Sequence, residues 1–218
     1  MKGRLIVFEG GEGAGKTTQI QYTCEWLRRQ IAEHRLPYTS AIATREPGGT
    51  PLGLSLRQLL LEGESIASTT ELLLYAADRA QHIEEFIQPH LSQGAMILCD
   101  RFTDSTIAYQ GYGRGLSLTL IEQLNAIATG GLQSDLTFWL DVEVKTGLAR
   151  TYRRGKADRM EQADFAFHQR VQQGFATLAQ QFPERIVRLD AGASETAVQA
   201  EIQRLLSDRL QQWSHLDV

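Results

Sequence analysis

LIVFEGGEGAGKTT, residues 5–18, is the stretch on which the fold turns. Leu5-Ile6-Val7-Phe8 is a short apolar run bounded by Arg4 and a glycine cluster, the pattern of a strand buried on both faces. Directly after it, Gly10-Gly11-Glu12-Gly13-Ala14-Gly15-Lys16-Thr17 fits G-x-x-x-x-G-K-[ST]. Glycines let the backbone wrap until successive N–H groups converge on phosphate oxygens. Lys16 then adds a positive charge at the β- and γ-phosphates, and the Thr17 hydroxyl supplies a ligand for Mg²⁺. Ile20, Cys24, Leu27 and Ile31 follow at steps of four, three and four, one face of a helix whose positive end meets the anion. A chance glycine-rich turn has no reason to sit between such a strand and such a helix. Residues Gly10 to Thr18 therefore read as a binding loop for a nucleoside triphosphate.

Outward from this loop the chain keeps alternating short apolar runs with helical patterns. Residues 38–44 read as a second strand, closed by Glu46-Pro47-Gly48-Gly49. Helices are predicted over about 52–61 and 70–88, with Pro89 and Gly94 punctuating the second. Three more strand-like runs end in Asp100, Asp141 and Asp190. Five apolar strands separated by helices imply a parallel sheet covered on both faces, with ligands beyond the carboxyl ends of the strands. At 218 residues the chain is expected to form one domain over 1–218. Its 42% apolar and 22% charged residues belong to a globular protein, and a net charge of −4 argues against coating nucleic acid. No apolar run approaches the roughly 20 residues of a membrane span. The apolar start is too short for a secretory signal. Cys24 and Cys99 lack metal-type spacing and read as packing residues. A cytoplasmic protein is the expectation.

The loop is shared by switch GTPases, transporter ATPases and small-molecule kinases. The chain contains neither Asn-Lys-x-Asp nor Leu-Ser-Gly-Gly, which disfavours the first two. Arg45 closes the second strand and Arg101 follows Asp100, so two guanidinium forks at neighbouring strand ends are expected to clamp a second, acceptor phosphate. Tyr75 and Arg79 lie four apart on one helix face, a ring to stack on a base beside a fork to read its edge. Residues 150–159 hold five basic side chains in ten, the composition of a cationic flap over the triphosphate. Taken singly, each of these has a plainer reading as a solvated or structural charge. His82 and His90 read as surface groups on their helices.

Together these stretches resemble the thymidylate kinase family along essentially the whole chain. The resemblance is carried by FEGGEGAGKTT (8–18), TREPGGT (44–50), ELLLYAADRAQH (71–82), ILCDRFTDSTIAYQGYGRG (97–115), LTFWLDV (136–142) and RTYRRGKADRME (150–161). It implies a P-loop NTPase fold, a three-layer α/β/α sandwich with a five-stranded parallel sheet and a helical lid over about 150–161. It also implies transfer of the ATP γ-phosphoryl group to dTMP with Mg²⁺. By position, Arg45 and Arg101 would hold the dTMP phosphate and Tyr75 would stack on thymine. Arg79 would bond the thymine edge with Thr106 and Gln110 nearby, Glu9 would approach the sugar 3′-hydroxyl, and Tyr109 would crowd the 2′ position. Among Arg150, Arg153 and Arg154, the last is the first choice for the catalytic lid arginine and Arg153 the second. Thr17 and Asp100 would hold Mg²⁺, with Asp141 an open alternative. A homodimer through the helical face around 70–88 is implied. The competing readings are a deoxynucleoside kinase, a monophosphate kinase for another base, and a P-loop regulator without phosphotransfer.

Overall fold

The computed structural model describes residues 2–62, 65–155 and 158–216. β1 (Arg4–Glu9) leads through the glycine loop into α1 (Lys16–Ala32), then β2 (Ala41–Arg45), α2 (Pro51–Glu62) and α3 (Ser68–His82). The helix continues as a π-helical turn, Ile83–Ile87, into α4 (Gln88–Ser92), followed by β3 (Met96–Asp100). Next come α5 (Thr103–Thr106) with its π-helical extension Ile107–Gly113, α6 (Leu118–Thr129) and β4 (Leu136–Asp141). The chain closes with α7 (Val144–Arg154), α8 (Phe165–Gln181), β5 (Ile186–Asp190) and α9 (Glu195–Leu216).

The five strands form one parallel sheet in the order β2-β3-β1-β4-β5. Because side chains alternate along a strand, Ile6 and Phe8 face one layer while Leu5 and Val7 face the other. The first layer packs Ile20, Cys24 and Leu27 of α1 and Val198, Ile202 and Leu206 of α9 against the sheet. On the second face, Ile83, Ile87, Leu91 and Phe102 cover Leu5, Val7, Ile97 and Cys99, and α8 covers Trp139 and Ile186. All four side chains of the run at 5–8 are fully buried, each removal from water stabilising by about 1.5–3 kcal/mol. This is the layered, parallel fold expected.

Three local expectations change. Pro89 does not end the second predicted helix. The wider π-helical turn just before it accommodates the missing N–H, and the helix runs on to Ser92. The second strand is shifted to 41–45, so Arg45 is its last residue. His82 is not a surface group: it is fully buried, its ring bonded to Thr44 Oγ1 at 2.7 Å and Glu46 Oε1 at 3.0 Å. His90 is half-buried against Phe86.

Candidate active site

All five strands end at one rim, in Glu9, Arg45, Asp100, Asp141 and Asp190. Above it opens a cleft of about 260 Å³ between the glycine loop, the end of β2, α3, the α5 extension and residues 158–161. On the loop side, Glu12 to Thr18 form the wall. Gly13 has φ 66°, a left-handed conformation that favours glycine, and a Cβ there would collide with the Gly147 carbonyl of α7. Lys16 is buried beneath the loop, its Nζ donating to the carbonyls of Gly10 and Gly11 at 3.0 Å each. Burial, then the charge of Arg101, lowers its pKa.

Thr17 Oγ1 donates to Asp100 Oδ2 at 3.3 Å, while Asp100 Oδ1 is buried without a hydrogen-bond partner among the described residues. Asp141 differs. Its Oδ1 accepts from Gln172 Nε2 and its Oδ2 from Arg188 Nε, both at 2.8 Å, and it lies outside the main cleft. Both of its oxygens are thus engaged, whereas Asp100 keeps one without a partner among the described residues.

Arg101 adopts a left-handed φ of 69°, sparsely populated for a residue with a side chain. That conformation turns its guanidinium back over the loop. Nη2 donates to Glu12 Oε1 at 2.8 Å, Nη1 to Gly10 O at 3.1 Å and Ser105 Oγ at 3.3 Å, and the group lies 4.8 Å above the Tyr109 ring. Tyr109 donates its hydroxyl to the same Glu12 oxygen at 2.6 Å. Burial opposes ionisation of Glu12, but Arg101 and then Lys16 outweigh it and hold the pKa at about 2. Arg45 is exposed on the cleft wall and has no hydrogen bond or ion pair among the described residues. Its Cα registers against Asp100, one residue before Arg101.

Glu9 does not reach the cleft. It is fully buried, accepting from the amides of Phe102 and Ser105 at 2.8 and 3.1 Å and from Ser105 Oγ at 2.5 Å. Burial and the nearby Asp104 push its pKa up to about 7. The expectation that it meets a sugar hydroxyl is corrected: strand alternation points it to the same side as Leu5 and Val7, beneath the start of α5. The glutamate that the phosphate loop presents to the cleft is Glu12.

The opposite wall is a buried polar network. Arg79, 2% exposed, donates from Nε to Glu46 Oε2 and from Nη1 to Thr106 Oγ1 and Asn125 Oδ1, all at 2.8 Å, and from Nη2 to Phe102 O at 2.9 Å. Glu46 is shared with His82. Tyr75, Thr106 and Gln110 line the same wall. Gln110 Nε2 donates to buried Glu71 at 2.8 Å, and Arg114 and Arg159 also meet Glu71. Arg159 ties this segment to α2 as well, donating to Leu60 O at 2.8 Å. Asp158, Met160 and Glu161 complete the wall, a contribution the basic composition of the segment conceals. Glu46 was also missed, since its pairing with Arg79 and His82 spans 33 and 36 positions and leaves no local signal. Of the flap arginines, Arg150 is committed to the carbonyls of Gly13 and Ala191, and Arg153 is exposed. The Arg154 side chain and residues 156–157 lie outside the described residues.

The family model described as thymidylate kinase matches residues 8–202. Among curated proteins, the thymidylate kinase of Cyanothece sp. (strain PCC 7425 / ATCC 29141) is 58% identical, covering 98% of this chain and 97% of that protein. That of Acaryochloris marina is 57% identical over 98% and 99%. Among solved structures, thymidylate kinase from Ehrlichia chaffeensis superposes with a TM-score of 0.76 at 35% identity, covering 94% of this chain and 99% of that one. With its phosphate loop, its second cluster of arginines at the rim and these matches along almost its whole length, the chain belongs to the thymidylate kinase family.

Proposed function

We propose that the cleft performs the family's reaction in a single domain over 1–218, transferring the γ-phosphoryl group of ATP to dTMP and releasing dTDP and ADP. One observation supports the reading: beside the phosphate loop, two further guanidinium groups, Arg45 and Arg101, line the same cleft. The loop amides with Lys16 suit the triphosphate, and Arg45 with Arg101 suits a second phosphate beside it. A nucleoside kinase has no use for that second clamp.

Phosphoryl transfer needs alignment and charge stabilisation more than covalent help. Lys16 is assigned to the β- and γ-phosphates, which the loop amides orient. Arg45, free of other partners, and Arg101, braced by Glu12 and Ser105, hold the acceptor phosphate in line. Tyr75 stacks on the base and Arg79, Thr106 and Gln110 face its edge. Glu12 and Tyr109, joined by their hydrogen bond, meet the deoxyribose, Glu12 taking the role first expected of Glu9. Arg154, followed by Arg153, is the choice for the lid charge that stabilises the transferred group.

Mg²⁺ fits beside the loop. Thr17 Oγ1 and the unpartnered Asp100 Oδ1 form the oxygen-only donor set this ion prefers. An ion held there would neutralise charge on the β- and γ-phosphate oxygens. A homodimer is supported by an apolar surface on three neighbouring helices: Leu54 and Leu59 of α2, Leu73 of α3, and Leu120 and Ile127 of α6 are all exposed. No helix of the described residues is long and apolar enough to cross a membrane, and the proposed setting is the cytoplasm. A coupled ADP-release assay with ATP, Mg²⁺ and either dTMP, dUMP, dCMP, UMP, GMP or thymidine tests the function. Fast turnover with dTMP and negligible turnover with thymidine is expected. A preference for thymidine would overturn the acceptor-phosphate clamp.

A further inference from the structure

Glu71 stands on α3 one helical turn before Tyr75, fully buried, with three side chains converging on it. Gln110 Nε2 donates to its Oε1 at 2.8 Å, Arg114 approaches both oxygens at 3.3 and 3.2 Å, and Arg159 lies 2.5 Å from Oε2. Burial alone would favour the neutral acid, but the hydrogen bonds from Gln110, Arg114 and Arg159 outweigh it and lower the pKa. Glu71 is therefore a carboxylate at neutral pH, and a carboxylate only accepts hydrogen bonds. The two ends of a glutamine amide are nearly the same size, so shape does not choose between its orientations. Here the charge chooses: the NH₂ turns to Glu71, and Oε1 is left on the side of the cleft that Gln110 lines, with no donor reaching it among the described residues.

Arg79 presents the opposite polarity next to it, through Thr106, one helical turn before Gln110. Four of its five N–H groups are bonded to Glu46, Thr106, Asn125 and Phe102 O, leaving a single Nη2 hydrogen. The base end of the cleft thus offers one donor and one fixed acceptor. A 4-keto pyrimidine complements that pair with O4 and N3–H. A 4-amino pyrimidine opposes it at both atoms, with an NH₂ at position 4 and a bare N3 acceptor.

We propose that Glu71 is the positioning residue that sets base selectivity, by holding the Gln110 amide in the one orientation that accepts a 4-keto pyrimidine and refuses a 4-amino one. The proposal rests on the reading above in which Arg79 and Gln110 meet the base edge. The signal in the sequence is the four-residue step from Glu71 to Tyr75 to Arg79, which puts the orienting group, the ring and the fork on one side of α3.

The test is the ratio of kcat/KM for dTMP to that for dCMP, measured on the full chain. Glu71→Gln gives Gln110 a neutral partner that either accepts or donates, so the amide turns freely and the ratio falls about tenfold; the mismatch at Arg79 remains. Exchanging the pair, Glu71→Gln with Gln110→Glu, again leaves an acceptor facing N3 and restores the ratio. This double variant also serves if Glu71→Gln alone fails to fold. Arg114→Gln removes a neighbour of Glu71 without touching the amide and leaves the ratio within about twofold of the parent. Two results separate the proposal from the reading beneath it. If Gln110→Leu collapses the ratio but Glu71→Gln does not, or if the exchanged pair stays relaxed, the orienting role is overturned and the base reading stands. If Gln110→Leu leaves the ratio unchanged, both are overturned. An equal fall in Arg114→Gln and Glu71→Gln assigns Glu71 a merely structural part and also overturns the proposal.

Discussion

The two walls of the cleft are built in opposite ways. The loop wall is made of consecutive residues, 12–18, and its working groups are mostly backbone amides. Across the cleft the groups are side chains, brought together from the turn after β2 and from α3, α5 and α6 by hydrogen bonds between residues 27 to 46 positions apart. A wall made of backbone keeps its shape because glycine conformation and helix start dictate it. One made of buried charges keeps its shape only while every partner is present. Binding and stability are therefore separable on the loop side and entangled on the other.

Lys16→Ala sharpens the contrast most. It should lower kcat by roughly 10³-fold, as expected for removing a preorganised charge at a phosphoryl group, and leave urea unfolding nearly unchanged. Steady-state kinetics beside a denaturation curve measures both, and retained turnover would remove Lys16 from the phosphate site. Arg79→Met should do the reverse. It strands Glu46, 4% exposed, without its guanidinium, and should cost about 3–5 kcal/mol of stability in the same denaturation experiment. A loss under 1 kcal/mol would mean that this wall does not depend on its ion pair.

The smallest effect comes from beneath the rim. Glu9 has a pKa raised from 4.5 to about 7, so between those values the folded chain binds more protons than the unfolded one. Stability tied to Glu9 is full below about pH 4.5 and declines as pH rises through 7, by on the order of 3 kcal/mol. Glu12 has the opposite sign. Held at about 2, it contributes stability that is present above 4.5 and is lost only on strong acidification. Glu9→Gln should flatten the fall in unfolding free energy between pH 5 and 8; an unchanged slope would place its titration outside that window.

The same contrast explains what could be read from the chain alone. Strand, loop and helix are contiguous in 5–31, so local periodicity and one spacing rule were enough for the fold and the loop wall. Arg45 and Arg101 were legible because a parallel sheet brings strand ends together whatever their distance along the chain. Glu9 was misplaced although the alternation of its own strand carried the answer: it shares parity with Leu5 and Val7 and so points beneath the rim. His82 was misread because a polar residue on a helix was given to solvent. Asp78, Arg79 and His82 in fact form one stripe at steps of one and three, all buried, turned toward the end of β2. No local pattern announces that Glu46 is what this stripe faces, since the pairing exists only after β2 and α3 are packed. Glu71 and Asn125 escaped notice for the same reason.

Gly13 and Gly147 meet with bare backbone on both sides. A side chain at either position would push the loop away from α7, the helix that bears Arg150, Arg153 and Arg154. The seat of the phosphate loop on the flap helix thus depends on an absence of side chains.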